Sequence, residues 1–297
     1  MRKIISLLLG IALVMTTLTA CSSSKGVKTG FAVVSSAGSS KEASAEADGL
    51  AQIDSTAVAI LVDDKGVIKN IVIDVVQTKF NFSATGEITT DLAKTFDSKK
   101  ELGDDYGMRK ASPIGKEWDE QAKALEDYVT GKTLEEVKGI AVNGGYSTEE
   151  DLTASVTMNI GSMLTAIEKA VNNAKDLGAS ADDTLGLGIV AGAGSRTANA
   201  SEEGDGNLQA TTTYGAVSFD KNGKITSSIF DSSQSDVSFN TEGALTSDLN
   251  KTYQTKLELG DGYNMKGASP IGNAWFEQSE GFSDYIKGKT VSEVSGI

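Results

Sequence analysis

The segment with the clearest chemical potential is Asp151-Leu-Thr-Ala-Ser-Val-Thr157, which ends just before a predicted helix. A threonine hydroxyl at a helix N-terminus lies among unpaired backbone N–H groups and positive dipole potential, and both favour a bound phosphate. A threonine in this position is also a common helix cap that binds no ligand. Taken alone, the segment predicts either a phosphate site at Thr157 or an ordinary capping residue.

The composition of the chain removes most other kinds of chemistry. The 297 residues contain no histidine and a single cysteine, Cys21, so the ligand sets of haem, iron–sulfur, copper and most zinc sites are missing. Serine–histidine and cysteine–histidine catalysis are excluded for the same reason. Redox chemistry would need an organic cofactor, and we expect no metal centre, although carboxylates could still hold calcium or magnesium.

The charge of the chain limits its partners. The formal net charge is -14, and the mature chain would be more negative still if Arg2 and Lys3 left with a signal peptide. Such an acidic surface repels nucleic acid and anionic lipid headgroups. We therefore expect no nucleic-acid partner.

The first 21 residues have the pattern of a lipoprotein signal. Arg2 and Lys3 precede an apolar stretch, residues 4–14, that is too short to span a bilayer comfortably. Leu18-Thr-Ala-Cys21 then places small residues before a cysteine, as in a lipobox. An ordinary secretory signal that happens to precede a cysteine is the alternative. We expect Cys21 to carry lipid and to anchor the mature chain at the extracellular face of the cell membrane.

Residues 66–140 and 223–297 are similar in sequence and align without a gap, as two copies of one segment. For example, Glu101-Leu-Gly-Asp-Asp-Tyr-Gly-Met in the first copy corresponds to Glu258-Leu-Gly-Asp-Gly-Tyr-Asn-Met in the second. A repeat of roughly 157 residues has the size of a domain. The predicted organisation is a signal peptide (1–20), a lipid-anchored tether (21–27), a first domain (28–177), a linker (178–184) and a second domain (185–297).

Each copy is predicted to contain strands first and helices after them. Runs 57–62 and 67–76 predict a hairpin, which the second copy repeats at 216–219 and 225–229. The stretch 35–49, rich in small and charged residues, is predicted to be mobile. Apolar spacing predicts helices at 118–129, at 275–286 and from 160 to about 175, and the pairs Thr133/Glu136 and Thr290/Glu293 predict short capped helices. Without regular βαβ alternation, this order predicts an α+β fold with an antiparallel sheet and packed helices in each copy.

The Thr157 segment resembles the acceptor motif of FMN-binding domains, Asp-x-x-Ser-Gly-Ala-Thr, whose last threonine carries FMN through a phosphoester. Asp151 matches the leading Asp and Thr157 the acceptor, whereas Ala154, Ser155 and Val156 replace Ser, Gly and Ala. With Tyr-x-Met-x-x-Ala-Ser-Pro-Ile-Gly and Tyr-Val-Thr-Gly-Lys-Thr, the mature chain as a whole is similar to the two-domain FMN-binding surface lipoproteins of Gram-positive bacteria. The resemblance implies covalent FMN at Thr157, with Asp151, Ser155 and Val156 in the surrounding motif.

The resemblance also makes certain aromatic and sulfur side chains candidates for packing against the isoalloxazine ring. They are Tyr106, Met108 and Trp118 in the first copy and Tyr263, Met265 and Trp275 in the second. The alternative is that these positions are core residues shared by two copies of one fold. Arg109 and Lys266 keep a cation in register, which could neutralise a phosphate or a reduced flavin or could be a solvated surface charge.

The function that the resemblance implies is electron transfer by a carrier, not turnover by an enzyme. Its partners would be a flavin transferase for the modification, a membrane quinone-linked electron donor and an extracellular electron acceptor. A ligand-binding or structural surface lipoprotein that keeps the fold without the flavin is the alternative. In either case the signal fragment that ends at Ala20 could be a pheromone precursor.

The second copy reaches only the counterpart of Ile140, so the counterpart of residues 141–175, with its acceptor threonine and last helix, is absent from it. Burying each apolar side chain of such a helix is worth roughly 1.5–3 kcal/mol, against a domain stability of about 5–15 kcal/mol. We therefore expect either a shortened chain or a loose second domain that holds no covalent flavin, with early proteolysis after Thr184.

Overall fold

The computed structural model describes residues 26–297 and shows an α+β protein, as the order of strands and helices predicted. The predicted signal peptide and the predicted lipidation site Cys21 lie outside the described residues. Within residues 26–297, no helix combines the length and the apolar character needed to cross a bilayer.

Strands and helices follow one another in two similar series. The strands are β1 (Lys28–Ser36), β2 (Gly49–Val62), β3 (Ile68–Phe82), β4 (Thr95–Phe96), β5 (Val142–Asn143), β6 (Tyr146–Ser147), β7 (Thr184–Ala193), β8 (Gly206–Phe219) and β9 (Ile225–Phe239). The helices are α1 (Lys99–Leu102), α2 (Trp118–Val129), α3 (Leu134–Lys138), α4 (Glu150–Thr153), α5 (Gly161–Asn172), α6 (Lys256–Leu259), α7 (Trp275–Ile286) and α8 (Val291–Val294). Short 3-10 turns follow α1 and α6.

The second series has the spacing that the sequence repeat requires. Strands β2 and β3 form an antiparallel hairpin, and β8 and β9 form its counterpart, each with an irregularity one or two residues before the turn. Gly66 and Gly223 occupy equivalent turn positions with φ of 76° and 74°, where only glycine is unstrained. The predicted hairpins, the helices α2 and α7 and the capping boxes at Thr133 and Thr290 are confirmed.

The two copies pack sheet against sheet. Strands β1, β2 and β3 form one sheet, and β4, β7, β8 and β9 form the other. Their inner faces share a single apolar core, in which the rings of Phe82 and Phe239 stack with centroids 4.2 Å apart. The inner face of the second copy is therefore buried by the first copy.

The hydrogen bonds at this contact are reciprocal. The Ala43 N–H donates to the Gly243 carbonyl at 2.8 Å, and the Ala200 N–H donates to the Gly86 carbonyl at 2.9 Å. Ala43 and Ala200 are equivalent in the repeat, as are Gly86 and Gly243. The two copies are thus related by an approximate two-fold axis, like the subunits of an isologous dimer.

Helices α2 and α5 cover the outer face of the first sheet and enclose a second apolar core. Helix α5 lies across β1 and β2, and α2 lies beside β3. The close approach of α5 requires Gly30 in β1, because a Cβ atom there would lie 2.0 Å from the Ala170 carbonyl oxygen. This packing places the N-terminal ends of α2 and α5 beside each other.

Helices α2 and α7 occupy equivalent positions but differ in burial. The buried residues of α2 are Trp118, Gln121, Ala122, Leu125, Glu126 and Val129. In α7 only Ile286 is buried, and Phe282 is 41% exposed. Within residues 26–297, α7 has no neighbour equivalent to α5, so most of its apolar side chains remain partly open to solvent.

The segments on either side of the first copy also lie side by side. The Val27 N–H, from the predicted tether, donates to the carbonyl of Ala179 in the predicted linker at 3.2 Å. Both side chains are buried in the core that the two sheets share. Residues 26–27 and 179–180 therefore belong to the packed structure.

The strands extend further than their sequence pattern predicted. The stretch 35–49, predicted to be mobile, begins within β1, and Lys41 and Leu50 exchange backbone hydrogen bonds further along. Strand β2 begins at Gly49, well before the predicted start at residue 57. Small residues such as Ala51 lie in the core between the sheets, where large apolar residues are usual. Their small size hid this part of the strand from the sequence pattern.

The interpretation of Thr157 as a helix cap is wrong, because the last helix begins at Gly161 with Ile160 as its cap residue. Glu150 and Asp151 belong to the separate short helix α4. The loop between the two helices, residues 154–160, turns the chain toward α2 before α5 begins, and sequence spacing did not reveal this turn.

Candidate functional site

A cavity of about 410 Å³ lies where the outer face of the first sheet meets the N-terminal ends of α2 and α5. Thr157, Tyr106, Met108 and Trp118, all predicted from the sequence, line it together. Its other walls come from β2, β3, α1, β6 and the first turn of α5. The fold thus brings the predicted acceptor residue to the same cavity as the predicted aromatic and thioether residues.

Thr157 is held at this cavity by α2. Its backbone N–H and its hydroxyl both lie within hydrogen-bond distance of Gln121 Oε1, at 2.8 Å and 3.3 Å. The Met158 N–H donates to the same oxygen at 3.2 Å. Thr157 is half-buried and is one of the residues that line the cavity.

Met108 is positioned by a buried carboxylate at the start of α2. The Glu117 side chain accepts hydrogen bonds from the Met108 N–H at 2.6 Å and the Arg109 N–H at 2.9 Å. Burial acts against the charge, but the N–H groups of Arg109, Met108 and Trp118 together hold the pKa of Glu117 below its ordinary value. The Met108 turn is therefore clamped to the helix that also carries Trp118.

A cation lies against the two aromatic rings. Lys99 Nζ is 4.6 Å from the ring centroid of Tyr106 and 5.3 Å from that of Trp118, both within cation–π distance. Burial lowers the pKa of Lys99, while Asp54 and Asp74 act in the opposite direction. Burial also raises the pKa of the Tyr106 phenol. Arg109 pairs with Asp104 and Glu120 at the surface, which agrees with the alternative that it is a surface charge.

The first turn of α5 supplies the positive end of a helix dipole to the same cavity. Ser162 and Met163 line it, and the Ser162 hydroxyl lies 3.0 Å from that of Thr56. Their N–H groups precede the first intrahelical bond, which Leu164 makes to Ile160. An anion in the cavity would be favoured by this helix end and by Lys99.

The other motif residues lie behind the acceptor and do not line the cavity. Asp151 is exposed on α4, and Val156 is buried in the core under α2 and α5. The Ser155 hydroxyl donates to the Leu152 carbonyl at 3.2 Å, which closes the turn after α4. These three residues therefore shape the segment that presents Thr157.

The second copy contains about half of an equivalent site. Lys256 Nζ lies 4.7 Å from the Tyr263 ring and 5.4 Å from the Trp275 ring, which repeats the geometry of the first copy. Ala274 replaces Glu117, so the clamp on the Met265 turn is missing. Within the described residues no segment stands in the second copy where the Thr157 loop stands in the first.

Three residues of the site were missed by the sequence reasoning, namely Lys99, Glu117 and Gln121. Lys99 and Gln121 recur in the second copy as Lys256 and Gln278, so their recurrence in the repeat could have indicated them. The repeat does not indicate Glu117, because Ala274 occupies the equivalent position in the second copy.

A larger cavity of about 730 Å³ lies between the two copies, where the C-terminal end of α5 faces β9 and α7. The buried carboxylate of Asp231 and the hydroxyl of Ser228 contribute to its walls. Of the residues that line it, none belongs to the predicted flavin site. The candidate site is therefore the smaller cavity, where Thr157, Tyr106, Met108 and Trp118 meet.

No family model matches the chain, and no solved structure matches it. A 42-residue stretch is 48% identical to a protein named chlorophenol reductase from Desulfitobacterium hafniense. That stretch covers 14% of this chain and 13% of the relative's length, so it establishes neither a family nor an activity.

Proposed function

We propose that the chain is a lipid-anchored flavoprotein that carries FMN on Thr157 through a phosphoester and serves as an electron carrier. Electrons would pass from a membrane quinone-linked donor to an extracellular acceptor. The observation that supports this function best is the shared cavity, which Thr157, Tyr106, Met108 and Trp118 line together.

The chemistry of the cavity suits the cofactor. Its volume of about 410 Å³ lies within the usual range of small-molecule sites, roughly 300–1,000 Å³. The rings and the thioether offer an apolar wall for a flat ring system, while Lys99 and the first turn of α5 favour the phosphate. Bound FMN would supply reversible electron transfer.

Attachment would be a phosphoryl transfer without any change of oxidation state. The Thr157 oxygen forms a bond to the phosphorus of a flavin nucleotide phosphoanhydride held by the transferase, and the anhydride P–O bond breaks. The hydroxyl proton leaves to a base of the transferase, and the leaving phosphate departs with the bond electrons. The chain contributes the oriented hydroxyl, and the partner contributes the activated flavin.

The protein that shares the 42-residue stretch is named a reductase, and a redox role for that protein is in line with the proposal for this chain. Covalent attachment would keep the flavin from being lost outside the cell, and a lipid at Cys21 would keep the carrier close to donors in the membrane. The proposed role is that of a carrier, for which the cofactor itself would supply the electron transfer.

Thr157→Ala tests the attachment directly. We expect intact-mass spectrometry of the chain, co-expressed with a flavin transferase, to show one FMN adduct that is absent from Thr157→Ala. Thr153→Ala is the matched control, because the Thr153 hydroxyl donates to the Glu150 carbonyl and lies outside the cavity. An adduct that survives Thr157→Ala contradicts the assignment, and a colourless wild-type protein favours the ligand-binding or structural alternative.

A further inference from the structure

We propose that Gln121 is the residue that positions Thr157 for flavin attachment, an inference that rests on the function proposed above. Gln121 lies in the second turn of α2 and is fully buried, with 0% of its surface exposed. A buried amide must satisfy both its oxygen and its nitrogen. Here both ends are engaged by chain segments that line the cavity.

The nitrogen end fixes the orientation of the amide. Gln121 Nε2 donates to the Lys116 carbonyl at 3.2 Å and lies 3.0 Å from Ser112 Oγ. A carbonyl can only accept, so the NH₂ group must face Lys116 and the oxygen must face the acceptor segment. The amide thus joins the turn before α2 to the loop that carries Thr157.

The oxygen end holds the acceptor through its backbone. Gln121 Oε1 accepts from the N–H groups of Thr157 at 2.8 Å and Met158 at 3.2 Å, while the Thr157 hydroxyl bond is the longest at 3.3 Å. A phosphoester has no hydroxyl proton, so attachment would remove only this longest bond. Gln121 can therefore hold the segment both before and after modification.

The same oxygen also orients the nucleophile. Because Gln121 Oε1 can only accept, the hydroxyl proton of Thr157 points toward α2. The lone pairs of the threonine oxygen are then free on its other side. Attack on phosphorus uses those lone pairs. As the new bond forms, the proton turns from Gln121 to the base of the transferase, so Gln121 orients the free hydroxyl without acting as the base.

The second copy separates this role from a purely architectural one. Gln278 is equivalent to Gln121, and its Nε2 donates to the Asn273 carbonyl and lies near Ser269 Oγ, both at 3.1 Å. The donor side is therefore common to both copies. Within residues 26–297, the acceptor side, with Thr157 and Met158, occurs in the first copy and not in the second.

The experiment compares wild type with Gln121→Met and with the matched control Gln278→Met. Methionine keeps the length of the side chain and removes its hydrogen bonds. In the unmodified chain we expect the amide hydrogens of Thr157 and Met158 to exchange on the order of tenfold faster in Gln121→Met. With limiting transferase, we expect FMN loading to slow on the order of 10- to 100-fold. Gln278→Met should match wild type in both measurements.

The outcomes are separable. Wild-type loading speed in Gln121→Met overturns this inference and leaves the proposed function standing, as does slow loading with unchanged exchange at Thr157 and Met158. A wild-type chain that takes up no FMN contradicts the proposed function and the inference together. If Gln121→Met does not fold, Gln121→Asn, which keeps the amide but withdraws it by one methylene, must show the same two effects.

Discussion

Burial shifts the pKa values of Asp231 and Lys99 in opposite directions. Burial lowers the pKa of Lys99. It raises the pKa of Asp231 to about 6, against hydrogen bonds from the Thr255 side chain and the Leu257 and Ser232 N–H groups that act to lower it. Both shifts have the same origin, since removing a group from water penalises its charged form.

The shift at Asp231 predicts a specific dependence of stability on pH. The folded state holds the proton more tightly than the unfolded chain, whose carboxyl titrates near 3.8. The favourable contribution is therefore complete below pH 4 and is lost as the pH rises through about 6. With 1.36 kcal/mol for each unit, the loss by pH 7 is roughly 3 kcal/mol.

Asp231→Asn should remove this loss, because an amide does not ionise and its oxygen can still accept from Ser232 and Leu257. We expect the variant to be more stable than wild type at pH 7.5 and the difference to shrink as the pH falls from 6 to 4. Urea unfolding at several pH values measures it. If the free energy of unfolding changed equally with pH in the two proteins between pH 4 and 6, the pKa of Asp231 would not be raised by folding.

Asp220→Asn is a control with the opposite sign. Hydrogen bonds from the backbone of Lys224 and from Asn222 hold the pKa of Asp220 below its ordinary value. Its contribution is therefore present above pH 4 and is lost only as the pH falls further. Asp220→Asn should leave the slope between pH 4 and 6 as it is in wild type.

Two equivalent glycines show how the outer faces of the two sheets differ. Gly30 in β1 pairs with Ile60, and Gly186 in β7 pairs with Val217 at the corresponding position. A Cβ atom on Gly30 would collide with the backbone of α5 at Ala170. On Gly186 its nearest neighbours would be at 3.8 Å, an ordinary contact distance.

The same substitution should therefore have opposite effects at these two positions. Gly30→Ala forces α5 away from the sheet, and we expect it to lower the free energy of unfolding by about 1–3 kcal/mol. Gly186→Ala meets no obstacle and should stabilise by up to about 1 kcal/mol through the unfolded chain. The midpoints of denaturant unfolding measure both effects, provided that the dependence of the free energy of unfolding on denaturant concentration is unchanged. Equal destabilisation by the two variants would show that α5 does not lie against Gly30 as described.

The core that the two sheets share holds the two copies together. It therefore changes which part of the second copy is expected to open locally. Thr184 begins β7, which is bonded to both β4 and β8 and packs against β3 of the other sheet. Cleavage after Thr184, expected from sequence alone, would require this sandwich to open. Helix α7, with Ile286 as its one buried residue, is a better candidate for local opening.

Limited proteolysis should accordingly cut first within residues 275–297. Ile286→Ala should hasten these cuts, because it removes the buried anchor of α7. The equivalent Val129→Ala in α2 is the control, since five other buried residues hold that helix, and it should leave the first cut in place. Mass spectrometry of early fragments identifies the site. A first cut after Thr184 that separates the two copies would contradict the shared core.

The sequence by itself determined the features that depend on near neighbours in the chain. Helices α2 and α7, the capping boxes at Thr133 and Thr290 and the glycine turns follow from local spacing and local hydrogen bonds. The repeat also fixed the two similar series of elements, because equal sequences share equal local preferences.

Only the tertiary structure decided which distant residues meet. The sheets bury each other through small residues such as Ala51, and no local pattern distinguishes these from residues of a loop. The contact of Gln121 with Thr157 and the position of Lys99 over Tyr106 join separate elements around one cavity. Such contacts arise from packing that brings remote segments together, so the spacing of residues along the chain does not encode them in a readable form.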